Sequence, residues 1–257
     1  MNVNEMINEM IVGARIGVAK NPNTPVDVLV QLSADIDYDV RGGVARNPNT
    51  PVEILVTLST DEDSSVRRDV ALNPNTPVDM LAKLSTDSDR EVRRYVIKNP
   101  NTSVDVLVQL SADDHYVVRY DLAANHNTPV NVLAKLATDI DYGVRRNVAQ
   151  NPNTPVNVLA KLAIDADNVV RRVVARNSRT PVEILVTLST DVHNIVRQGV
   201  AENGNTPVNV LATLSTDSQC SIRRSVAQNA NTPMDALVTL SRDSNWIVRE
   251  FARALIH

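Results

Sequence analysis

Apolar residues along this chain fall into short groups that recur at one fixed spacing. In the stretch 24–46, Val26, Leu29, Val30 and Leu32 form one group and Val40, Val44 and Ala45 form another, with polar residues between them. Spacings of three and four are helical, and the strict alternation of a half-buried strand is missing. Thr24-Pro25-Val26-Asp27 supplies a start signal: a threonine to cap, proline at the first helical position, and an acid three residues after the cap. The pattern predicts a helix of about nine residues ending near Ser33, a short α-helix or partly 3₁₀, too short to persist alone. Val26, Leu29, Val30 and Leu32 are expected to point inward. After a turn at 35–37, a second helix is predicted from Tyr38 to Arg46, burying Val40, Val44 and Ala45. Asn47 suits a left-handed C-cap, and Pro48 prevents continuation.

This unit repeats without insertion. The segment Asn21-Pro-Asn-Thr-Pro25, or a close variant, begins again at Asn47, Asn73, Asn99, Asn125, Asn151, Asn177, Asn203 and Asn229, each 26 residues on. Arginine keeps the same period from Arg15 and Arg41 to Arg249, and aspartate keeps it from Asp35 to Asp243. A strict period of this size signals stacked supersecondary units whose apolar faces close only against their neighbours. The expected fold is all-α: a solenoid of 26-residue two-helix repeats forming a single domain over residues 1–257. Residues 1–20 align as a degenerate N-terminal capping repeat, with Val3 and Met6 under Leu29 and Leu32, and Glu9 under Asp35. Residues 21–246 are the tandem repeats, and 247–257 continue the last helix as a C-terminal cap. Ordinary leucine-rich repeats share this period but need a Leu-x-Leu strand. Leu29 and Leu32, three apart behind a capped proline, are helical instead.

The string Val-Ala-Arg-Asn-Pro-Asn-Thr-Pro-Val-Glu-Ile-Leu-Val-Thr-Leu-Ser-Thr-Asp at 44–61, followed by Val66-Arg67-Arg68, resembles the bacterial leucine-rich repeat variant family. The resemblance covers nearly the whole chain. It implies a right-handed superhelix of alternating α and short, often 3₁₀, helices, related to HEAT-like solenoids. The best-known arrangement in that family places a cysteine cluster for an iron–sulfur centre before the repeats. This chain has one cysteine, Cys220, so that cofactor is not carried over.

Composition narrows the class. A chain 43% hydrophobic and 22% charged is neither disordered nor collagen-like, and one cysteine makes no disulfide scaffold. Lys and Arg number 26 against 30 Asp and Glu, and a net charge of −4 predicts no general attraction to nucleic acid or to anionic membranes. The acidic beginning, Glu5 and Glu9, lacks the basic region of a signal peptide, and no apolar run is of membrane-spanning length. A soluble, cytoplasmic, monomeric protein without membrane partners is expected.

Catalytic chemistry finds no foothold in the sequence. A column occupied in every repeat serves assembly, because an active site needs one constellation and not nine copies of it. The Asp and Arg columns are therefore read as a ladder, bonding to each other or to backbone groups of adjacent repeats. Asp35-Ile-Asp37-Tyr-Asp39 invites a calcium reading, but the sixth position is Val40 and the twelfth Arg46, where such a loop needs Gly and Glu. The second acid column runs Asp37, Asp63, Asp89, His115, Asp141, Asp167, His193, Gln219, Asn245, which suits capping better than ligation. His115 and His193 lie three periods apart, too far to share a metal, and His126 and His257 have no spaced partner. Cys220 is read as a bystander thiol, Gly42-Gly43 as a weak point inside a helix, and the Thr column as caps in preference to an ice-binding array. No enzyme, metal or cofactor is predicted.

The variable columns are where a ligand would be chosen. Positions 38, 42 and 46 and their period mates lie at i, i+4 and i+8 on the second helix. That face carries nine basic residues against two acids, and five of the seven aromatics of the chain. Its candidate partner-binding residues are Arg68, Arg90, Arg94, Lys98, Tyr116, Tyr120, Tyr142, Arg146, Arg172 and Arg176. Tyr and Arg are favoured interface anchors, and they equally solvate helix faces. Three functions fit: a scaffold offering this face to an acidic protein or extended peptide, a nucleic-acid binder using it on phosphates, or a structural, designed-like array without a ligand. The first is favoured. Identical stretches at 51–61 and 181–191 speak for the third.

Overall fold

The computed structural model describes residues 10–256, and among them there are 19 helices and no strand. The chain divides into two compact units, residues 1–125 and 126–257. Within each, seven-residue α-helices such as Val26–Leu32 and Val130–Leu136 alternate with nine-residue helices such as Tyr38–Arg46 and Tyr142–Gln150. The last helix, Trp246–Ile256, has 11 residues. The alignment of Val3, Met6 and Glu9 with later repeats lies outside the described residues. Within each unit, successive long helices pack side by side, and each short helix packs on a long neighbour.

The second helix forms over the predicted span and buries Val40, Val44 and Ala45 completely. The first helix is α throughout and ends at Leu32, and it buries a different face from the one expected. Val28, Leu29 and Leu32 point inward, while Val26 and Val30 are 51% and 47% exposed. At about 100° per residue, positions 28, 32 and 29 form one narrow stripe, and 26 and 30 lie nearly opposite it. Apolar residues surround this helix, and the two leucines settle which side is covered. Each fully buried leucine contributes about 1.5–3 kcal/mol, which holds a helix that could not survive alone.

Threonine does not cap the short helix. The N-cap is Pro25, whose carbonyl accepts from the Leu29 N–H, and no side chain assists. Thr24 Oγ1 instead donates to the Val18 carbonyl at 2.6 Å, closing the end of the preceding long helix. Thr50 and Thr76 do the same to Val44 and Val70 in the first unit, and Thr154, Thr180, Thr206 and Thr232 act alike in the second. These threonines are buried, and their hydroxyls give the last-turn carbonyls a second donor beside the N–H of the following asparagine. Only where serine replaces the proline does a side chain cap the short helix: Ser103 Oγ accepts from the Val106 N–H.

Asparagine is likewise reassigned. Asn47 has φ −67° and ψ 127°, extended and not left-handed, and no described residue has positive φ. Its side chain is spent between repeats: Nδ2 donates to the carbonyls of Ala19 and Asn21, both at 2.8 Å, while Oδ1 accepts from the Asn49 N–H. Asn73 and Asn99 continue this ladder in the first unit, and Asn203 and Asn229 in the second. A residue that must donate twice and accept once while buried is constrained to an amide.

The Asp and Arg columns form a second ladder. Arg41 Nε and Nη2 fork onto the Asp61 carboxylate of the next repeat at 2.7 and 2.9 Å, and Nη1 holds the Asp35 carbonyl of its own turn at 2.9 Å. The pairing therefore spans 20 residues, not six. Arg15, Arg67 and Arg93 repeat it in the first unit, and Arg145, Arg171, Arg197 and Arg223 in the second. Burial pushes the Asp61 carboxyl upward, but the Arg41 hydrogen bond, the Asp63 N–H and the Arg41 charge hold it below its ordinary value. Most of the second acid column caps the long helices, as in Asp37, which accepts from the Asp39 N–H, and His115, whose Nδ1 accepts from the Val117 N–H, whereas His193 and Gln219 make no side-chain capping bond.

Gly42-Gly43 is not a weak point. A Cβ at Gly43 would lie 2.9 Å from the Ala19 Cβ, and one at Gly199 would lie 2.9 Å from the Arg172 carbonyl oxygen. Glycine at these two positions lets neighbouring long helices approach closely.

Candidate binding face of the long helices

Positions 38 and 46 of the long helix Tyr38–Arg46 are exposed, whereas Gly42 is buried against Asp69 of the next repeat and its counterparts Arg68, Arg94, Tyr120, Arg146 and Arg172 are half-buried. Tyr116 and Tyr142 are 50% and 52% exposed, and Tyr120 is half-buried. Tyr116 stacks on His115 with ring centroids 5.4 Å apart.

In the first unit the basic residues of this face are largely engaged. Arg94 Nε donates to Asp121 at 2.8 Å, and its Nη1 forks onto Glu91 at 2.8 and 3.0 Å. The Asp121 hydrogen bond raises the affinity of Arg94 for its proton above the ordinary value. Arg90 Nε lies 3.5 Å from Glu91, and its Nη1 is 2.6 Å from His115 Nε2. Arg68 sits 3.6 Å from Asp69 and 5.5 Å above the Tyr95 ring, whose face Lys98 also approaches at 4.8 Å. Burial pushes the Asp69 carboxyl above its ordinary value, against the opposing charges of Arg46 and Arg68.

The second unit differs. Arg146, Arg172 and Arg176 line one groove of about 570 Å³, beside Val169, Val173 and Pro152. Arg176 lies 3.1 Å from Glu202. Arg146 and Arg172 have no ion pair among the described residues. The cause is compositional: the column that holds Asp69 and Asp121 in the first unit holds Asn147 and Val173 here. Sequence reasoning treated the ten candidate residues as one surface. It missed these neighbouring acids, although Glu91 and Arg94 at i, i+3 already announce one pair.

Among the described residues no group of His, Cys, Asp or Glu side chains could hold a metal ion, and no helix is long and apolar enough to cross a membrane. Cys220 is exposed.

The leucine rich repeat variant family matches residues 38–63, 65–89 and 90–115. A solved leucine-rich repeat variant protein, described by a novel repetitive structural motif, is similar in fold. It has a TM-score of 0.59 and 25% identity, over 99% of this chain and 97% of that one. A crystal structure of an engineered protein gives a TM-score of 0.45 and 20% identity, over 100% and 98% of the two chains. No curated protein matches the chain. Residues 38–115 match the leucine rich repeat variant family, and the same helix order recurs with the 26-residue period through the other described repeats, so the chain is similar to that family in sequence pattern and fold.

Proposed function

We propose that the protein is a non-catalytic repeat scaffold whose long-helix face binds an acidic protein segment or extended peptide. The observation that carries this reading is the pair Arg146 and Arg172, which share a groove with Arg176 and have no ion pair among the described residues. An incoming carboxylate meets no internal competitor there, whereas at Arg94 it would have to displace Asp121 or Glu91. Half-exposed Tyr142, one turn before Arg146, adds an aromatic anchor of the kind favoured at interfaces. Arg68, Arg90, Arg94, Lys98, Tyr116 and Tyr120 form a secondary surface on the first unit.

The test is fluorescence anisotropy with labelled acidic peptides, and with duplex and single-stranded oligonucleotides, at low and moderate salt. Peptide binding is expected, abolished by Arg146→Glu with Arg172→Glu and retained by Arg242→Gln, at an exposed arginine outside this face. Tighter binding of oligonucleotides, falling steeply with salt, would replace this reading with the nucleic-acid one.

A further inference from the structure

The groove between helices 142–150 and 168–176 has a chemistry more selective than general attraction for acids. Its three guanidinium groups come from two adjacent repeats, Arg146 from one and Arg172 with Arg176 from the next, and among the described residues Glu202 is the one acid that pairs with any of them. Val169, Val173 and Pro152 line the same space with apolar surface, which lowers the local dielectric and strengthens charge–charge attraction. We propose that this groove receives a phosphorylated serine or threonine side chain of an extended peptide.

Two comparisons select that ligand, given the acidic-segment reading above on which the proposal rests. A carboxylate carries one charge and two oxygens, enough for a single arginine fork. A phosphomonoester carries nearly two charges and three strong acceptor oxygens, enough for several. A nucleic-acid backbone offers the same oxygens, but in a row, and the positive charge here does not continue as a row. In the next repeat the equivalents of Arg172 and Arg176 are Gln198 and Glu202, joined by a hydrogen bond of 2.8 Å. A polyanion following the stack would meet that carboxylate, whereas one dianionic side chain would not. A volume of about 570 Å³ accommodates the phosphorylated residue and an apolar neighbour against Val169 and Val173, within the ordinary range for ligand pockets.

The experiment uses the full chain and three labelled degenerate peptide libraries that differ only at one fixed central residue: phosphoserine, glutamate or serine. A single-stranded oligonucleotide and inorganic phosphate as competitor complete the set. The phosphoserine library should bind at least about tenfold more tightly than the glutamate library, a step of about 1.4 kcal/mol. Inorganic phosphate should compete with it. Arg172→Gln should lose most of that preference, Arg172→Lys, which keeps the charge but not the fork, should lose part of it, and Arg242→Gln, at an exposed arginine outside this face, should keep it. Equal affinity for the phosphoserine and glutamate libraries, with both sensitive to Arg172→Gln, would overturn this inference alone. Binding of neither library would overturn the scaffold reading with it, and preference for the oligonucleotide would transfer the groove to nucleic acid.

Discussion

Asn73 and Asn75 belong to the same Asn-Pro-Asn-Thr-Pro motif and look equivalent in sequence, yet their removal should have different costs. Asn73 is 2% exposed, donates to the Ala45 and Asn47 carbonyls at 2.7 and 3.0 Å, and accepts from the Asn75 N–H at 2.9 Å. Alanine at this position removes the side-chain partner of the Ala45 carbonyl and of the Asn75 N–H and takes one of two donors from the Asn47 carbonyl, which keeps the Thr50 N–H. At about 1 kcal/mol for each of the three lost hydrogen bonds, Asn73→Ala should cost about 3 kcal/mol, a large share of the 5–15 kcal/mol typical of a domain. Asn75 makes one exposed inter-repeat bond, to the Pro48 carbonyl at 2.6 Å. Water takes over when it is lost, and Asn75→Ala should stay within about 0.5 kcal/mol. Asn73→Asp should be worse than Asn73→Ala at neutral pH, since it points a carboxylate at two carbonyl oxygens. Urea denaturation followed by circular dichroism reads all three, with an expected midpoint loss of roughly 1–3 M for Asn73→Ala. Equal midpoints for the two alanine variants would refute the asparagine ladder.

Other outcomes follow from the same contacts. Thr76→Ala should lose about 1 kcal/mol by removing one of the two donors to the buried Val70 carbonyl, which keeps the Asn73 N–H, and Thr76→Ser, which keeps the hydroxyl, should recover most of it in the same titration. Gly199→Ala should cost about 1–3 kcal/mol through overpacking against the Arg172 carbonyl, while Gly204→Ala, with open space around it, should be near neutral; equal costs would refute the close approach. The ladder aspartates Asp35, Asp61, Asp165, Asp191 and Asp217 have folded pKa values lowered from 3.8, burial being outweighed by their arginine and backbone partners. A lowered carboxylate adds stability above its unfolded pKa and loses it as pH falls through the folded one. Denaturation midpoints should therefore hold above about pH 4 and decline below it, with a shallower decline in Asp61→Asn.

Much of the fold can be read from the sequence because stacking forces every repeat to solve the same problem. The long helix from Tyr38 to Arg46, the presence of a short partner helix, seven residues in place of the expected nine or so, and the assembly role of the Asp and Arg columns follow from local spacing and strict period. What local spacing leaves open is which side of an all-round apolar helix faces inward, and Val26 and Val30 were placed on the wrong one for that reason. Capping rules point Thr24 forward to the helix it precedes. The hydroxyl turns back to the carbonyl of Val18 at the end of the long helix, where it adds a second donor beside the Asn21 N–H. Asn47 fits a left-handed cap by composition, but the partners that fix its conformation lie 26 and 28 residues away. The candidate face shows the same limit. A count of basic residues finds it, while the division into engaged arginines such as Arg94 and unpaired ones such as Arg172 depends on acids contributed by neighbouring repeats.

Arg171 and Arg172 are adjacent in sequence and are assigned opposite roles, which makes their paired substitution the most direct test. Arg171 forks onto Asp191 at 2.7 and 3.0 Å and holds the Asp165 carbonyl at 2.8 Å, whereas Arg172 makes no ion pair among the described residues. The urea midpoints of Arg171→Gln and Arg172→Gln are the measurement. The account predicts a loss of about 3 kcal/mol for Arg171→Gln, which leaves a mostly buried carboxylate unpaired, and a change within about 0.5 kcal/mol for Arg172→Gln. Comparable losses in the two variants, or the larger loss in Arg172→Gln, would contradict the division between columns that assemble the stack and columns that meet a ligand.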